Sequence, residues 1–91
     1  MDNKMPDDIA NFLLKNGFQK ISYCKYGNGK CQVHYHVQFG DESIEVYDTE
    51  NDTSWYQYDT IIYTLIGYLT YYNLMDRNYA DLQHTQAGGG F

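Results

Sequence analysis

Four side chains suited to metal chemistry fall close together in the chain: Cys24, Cys31, His34 and His36. Two thiolates and two imidazoles are a donor set that suits zinc. Their spacing fits no zinc ribbon or finger. Strand parity separates them further, because alternate residues of a strand point to opposite faces. Both cysteines take the apolar face of the expected hairpin and both histidines the polar face, so the four ligands do not converge. The cysteines also sit diagonally, which does not suit a disulfide. They read as two small buried hydrophobes. No metal and no other cofactor is expected.

Tyr23, His34, His36 and Glu45 form a second constellation. The expected pairing sets His36 opposite Glu45, an arrangement that can act as an acid–base pair. Catalysis also needs a nucleophile or a concave pocket, and an open sheet face supplies neither. The chain has no GxSxG, no phosphate-binding glycine loop and no helical HExxH. The pair therefore reads as a cross-strand contact, and the chain as a non-enzyme.

The charged residues carry more. Formal net charge is −6, and no Lys or Arg lies between Lys30 and Arg77. That interval holds Asp41, Glu42, Glu45, Asp48, Glu50, Asp52, Asp59 and Asp76. Such a run is ordinarily a solvated face, and its sharper meaning is a surface that imitates the charge of nucleic acid. An acidic domain repels phosphate and anionic lipid, which disfavours direct nucleic-acid or membrane-surface binding. Eleven tyrosines accompany these acids, and tyrosine is over-used at interfaces. The expected partner-binding set is Asp41, Glu42, Glu45, Tyr47, Asp48, Glu50, Asp52, Tyr56, Asp59 and Tyr63.

These residues need elements to hold them. Ninety-one residues make one domain, expected over residues 1–85, with a flexible Gly-rich tail at 86–91. Pro6 opens a first helix with Asp7 and Asp8 in its first turn. Ile9, Phe12 and Leu13 share its inner face, and Asn16-Gly17 ends it. Asn28-Gly29 predicts a tight hairpin that pairs Tyr26 with Cys31 and Tyr23 with His34. A second turn at Gly40-Asp41 pairs Tyr35 with Val46 and His34 with Tyr47. The three strands then share one apolar face, which needs a cover.

Ser54 to Met75 supplies that cover as one long helix. Trp55, Tyr58, Ile62, Leu65, Leu69 and Tyr72 recur at steps of three and four, and Ser54 with Gln57 forms a capping box. A fourth strand over Trp55 to Tyr58, with the helix after Asp59, is the competing reading. Asn78 caps a short third helix. The expected fold is therefore α+β: a three-stranded antiparallel meander with helices packed on one face, in the order α-β-β-β-α(-α). Residues 60–75 are sixteen uncharged positions, short of the roughly 20 that span a bilayer. The N-terminus MDNKMPDD has no apolar signal segment, and the chain's two cysteines fit a reducing, cytoplasmic setting.

This order of elements resembles that of double-stranded-RNA-binding domains. Those domains carry lysines at the start of the second helix, where this chain reads NDTSWYQYD, so RNA binding does not carry over. Size, acidity and element order are also similar to those of some small phage-encoded inhibitors of CRISPR nucleases. That likeness implies a protein partner with a basic nucleic-acid-binding groove, occupied by mimicry in the cytoplasm of a host. Two other functions stand beside it: a structural subunit that forms a homodimer through the tyrosines of the long helix, and a small enzyme or ligand binder on the sheet face.

Overall fold

The computed structural model describes residues 3–75. Helix α1 runs Asp7–Lys15. Five strands follow: β1 Gln19–Ser22, β2 Lys25–Gly27, β3 Cys31–Gln38, β4 Asp41–Asp48 and β5 Thr53–Gln57, and helix α2 runs Ile62–Tyr71. The strands form one antiparallel sheet in sequential order, β1 to β5. The fold is α+β, but the expected three-stranded meander is corrected to five strands between two helices.

Pro6 caps α1 rather than opening it. Ile9, Ala10 and Leu13 form its buried face. The helix ends as the sequence predicts: Gly17 takes φ +91°, and Phe18 N–H returns to Leu13 O at 3.0 Å. Glycine adopts that left-handed conformation without a Cβ penalty.

The largest correction falls on Ser54 to Met75. There is no single long helix. Thr53–Gln57 is a strand paired with β4, with Val46 opposite Trp55 and Ile44 opposite Gln57. In β5 Trp55 and Gln57 point inward while Ser54 and Tyr56 lie exposed, a two-residue period. The Ser54–Gln57 capping box does not form. Gln57 instead is buried, and its Nε2 donates to Asp59 Oδ1 at 2.7 Å and to Ile61 O at 3.1 Å. Asp59 Oδ1 also accepts from Ile61 N–H at 3.0 Å. This Asx-type turn stops the strand and starts the helix. The physical reason is the edge of β4: without β5 its outward backbone groups would go unpaired.

Both hairpins differ from expectation by two residues. Tyr26 pairs with Val33 rather than Cys31, and Tyr35 pairs with Ile44 rather than Val46. In the first, Asn28 Oδ1 accepts from Lys30 and Cys31 N–H at 2.9 and 3.0 Å, which closes a longer loop. In the second, Phe39 and Gly40 take the positive-φ positions, at 53° and 83°, in place of Gly40-Asp41. A two-residue slip leaves every side chain on its own face, so the division into apolar and polar faces stands.

Tyr26, Cys31, Val33, Tyr35, Ile44 and Val46 form the inner face of the sheet. They join Ile9, Leu13, Leu65 and Leu69 of the helices in one core, with Met5, Leu74 and Met75. Asn28 Nδ2 donates to Leu74 O at 2.8 Å and ties the segment after α2 to the first hairpin. Trp55 stacks on Tyr68 with ring centroids 4.0 Å apart and planes 9° apart. No helix among the described residues is long and apolar enough to cross a membrane. The short third helix at Asn78 and the tail at 86–91 lie outside the described residues.

Candidate functional site

With both helices on one side, the other side of the sheet is open. Four strands contribute a row across it: Lys25 opposite His34, His34 opposite Glu45, and Glu45 opposite Tyr56. His36 therefore faces Ser43 rather than Glu45. It still reaches the carboxylate diagonally, with Nε2 2.8 Å from Oε1. His34 Nδ1 lies 3.9 Å from the same oxygen. The two imidazoles are 4.0 Å apart, centroid to centroid. Ser54 Oγ donates to Glu45 Oε2 at 2.7 Å and fixes the carboxylate plane.

Each group's titration follows from these neighbours. Partial burial, the adjacent His36 and the Lys25 charge hold His34 below the ordinary imidazole value. Burial works against ionisation of Glu45, but hydrogen bonds from Ser54 and His36 outweigh it and hold the carboxyl low. The Glu45 charge pushes the Tyr56 phenol up. The cluster is thus a carboxyl group favoured in its ionised form beside His34, favoured in its neutral form. Cys24 and Cys31 are free thiols that belong to the core side, so thiols and imidazoles are separated as strand parity requires. Tyr23, grouped with the histidines in the sequence, sits in the β1–β2 turn and is exposed.

The acidic residues do not form one continuous face. Along β4 and the turn after it, Glu45 stands mid-strand and the others divide between the two ends, about 23 Å apart at the usual strand rise. At the β4–β5 turn, Asp48 accepts from the side chain of Asn51 and from Asn51 and Glu50 N–H. The Asn51 side chain, followed by the turn amides, lowers its pKa. Asp52 accepts from Tyr47 Oη–H at 2.6 Å, a bond that pushes the Tyr47 phenol up. These acids, with exposed Glu50, build and rim a turn.

The opposite end is different. Phe39 is 96 % exposed at the tip of the β3–β4 hairpin, and Tyr58 is 80 % exposed beside it. Gln38, Phe39, Asp41, Glu42, Ser43 and Tyr58 line an open hollow of about 460 Å³. Asp59 follows Tyr58 in the chain. Glu42 accepts the Tyr35 hydroxyl proton in a hydrogen bond. Tyr56 and Tyr58 rings stack at 6.2 Å and 12°, so an aromatic path runs from the hairpin end towards Glu45. Tyr63 is also exposed, on α2. Phe39 is absent from the partner-binding set drawn from the sequence. The signal that finds it is the turn itself: moving the turn back one residue makes Phe39 its first central position.

Compared with protein families, with curated proteins and with solved structures, the chain matches none of them. The element order that carried the resemblance to double-stranded-RNA-binding domains is itself replaced, since five strands stand between the helices.

Proposed function

We propose that this chain is a non-catalytic protein-binding module that docks through the β3–β4 hairpin end onto a basic surface. The observation that carries this reading is Phe39. A phenylalanine at φ 53° is sterically strained, at about 1–2 kcal/mol for a left-handed L-residue, and here it is held almost wholly in water. The backbone conformation closes the hairpin, but the exposed ring adds no packing to the fold. A partner that buries the ring does gain, because a rigid aromatic anchor binds with small entropy loss. Tyr58 supplies a second anchor, and Asp41, Glu42 and Asp59 supply negative charge around them. Opposite charge on the partner aligns the encounter and suppresses wrong partners.

A basic groove built for nucleic acid fits that description, and occupying it would exclude the nucleic acid. Such a role places the module in the cytoplasm with its target. The test is affinity capture at two salt concentrations, about 50 and about 500 mM, which bracket strong and weak screening. The reading requires a captured protein that is released at the higher salt and loses its nucleic-acid binding when this chain is added. Capture that is indifferent to salt, or that leaves nucleic-acid binding intact, contradicts it.

Self-association is the second reading, favoured by Tyr63 and Tyr71, each 80 % exposed on α2. Sedimentation across a concentration series decides it: a monomer throughout removes it, and a dimer lost on Tyr63→Ala supports it.

A further inference from the structure

We propose that His34, His36 and Glu45 form a binding site for a divalent first-row transition ion, zinc foremost, with one coordination position open to solvent. The site is distinct from the hairpin end and does not depend on it. His34 and His36 are two apart on β3, so both project from the same face. Glu45 on β4 is directly opposite His34. One donor atom from each of the three lies within 4.8 Å of the other two. Tetrahedral zinc, with bonds of about 2.0–2.1 Å, sets its donors about 3.3 Å apart. The His36 nitrogen and Glu45 oxygen stand at 2.8 Å and must open slightly. His34 Nδ1, at 3.9 Å from the same oxygen, must close by a similar amount. Side-chain rotation on a fixed pair of strands accommodates both.

The donor chemistry also fits. Two imidazoles and a carboxylate suit zinc and the neighbouring transition ions. The short contact between His36 Nε2 and Glu45 Oε1 marks the place the ion would take. On binding, that imidazole carries its N–H on Nδ1 and offers the Nε2 lone pair. His34 offers Nδ1, the atom nearest the Glu45 carboxylate. Ser54 holds the other carboxylate oxygen, the kind of outer contact that orients a ligand before the ion arrives. A shallow depression of about 210 Å³, lined by Lys25, Gln32, His34, Glu45 and Tyr47, lies beside the cluster and has room for water on the fourth position. Lys25 is the one positive charge across from His34 and moderates the affinity.

The test uses the full chain with Cys24→Ser and His84→Ala as a background, which removes the half-buried thiol and the third histidine. Zinc chloride is titrated by calorimetry, and cobalt chloride is followed by its visible absorption. The expected result is one ion per chain. Intense tetrahedral cobalt bands should appear and be displaced by zinc. His34→Ala, His36→Ala and Glu45→Ala should each weaken zinc by about tenfold or more, the scale on which a coordinating shell responds. All three side chains are partly solvent-exposed, and far-UV circular dichroism verifies that each variant is folded. No saturable uptake up to about 1 mM zinc, the weak end of the affinity scale, overturns the proposal. So does any folded variant of the three that binds as tightly as the background.

Discussion

Tyr35 and Cys31 show how single side chains report on this fold. Burial, reinforced by the hydrogen bond to Glu42, pushes the Tyr35 hydroxyl up to about 12 from its ordinary 10.0. The native state therefore favours the protonated phenol. Its contribution to stability is fully present below about pH 10 and is lost as pH rises towards 12. A pH series of unfolding should show this loss, and Tyr35→Phe should flatten that part of the curve while costing about 1 kcal/mol at neutral pH. Cys31 is fully buried, and burial, with Asp48 adding to it, pushes its thiol up to about 12. A thiol reagent should modify Cys24 quickly and Cys31 only at the rate of unfolding, since the thiolate is the reactive form. Two equally fast thiols would contradict the buried placement. Parity along Cys31 to Gln38 made this division readable from the sequence. The sequence also grouped Glu45 with the two histidines; what it misplaced was the register, which sets His34 rather than His36 directly opposite Glu45.

Elements were legible where the local signals agreed. Helix α1 has a proline, two acids, an apolar stripe and a terminal glycine, all in agreement. The stretch from Ser54 onward carried two signals at once. Trp55 and Tyr58 continue the helical spacing of Ile62, Leu65 and Leu69 by coincidence, while Trp55 and Gln57 alternate with Ser54 and Tyr56 as a strand. The unpaired edge of β4 decided between them, and a reading confined to local spacing cannot see that edge. Strand β1 left no signal, since all four of its residues are exposed. The β5–α2 unit is tested through Trp55, the only tryptophan in the chain. Trp55→Ala should cost about 2 kcal/mol or more through lost packing and stacking on Tyr68. In the native chain, tryptophan emission and far-UV dichroism should change together on unfolding.

At the scale of the whole molecule, the sheet separates two kinds of work. Its inner face holds the helices, and its outer face presents a neutral-to-acidic surface with aromatic groups at one end. Along β4 and the turn after it, Asp41 and Glu42 stand at one end and Asp48, Glu50 and Asp52 at the other, with Glu45 between them. Opposite charge at a partner should therefore be read mostly through the hairpin end, where Phe39 and Tyr58 stand beside Asp41 and Glu42. The most direct measurement pairs thermal unfolding with partner affinity for Phe39→Gly. Glycine relieves the left-handed strain and removes only the exposed ring, so unfolding should be unchanged or shifted upward while affinity for the captured partner falls by about tenfold or more. An affinity within twofold of the native chain, with the fold intact, would contradict the account.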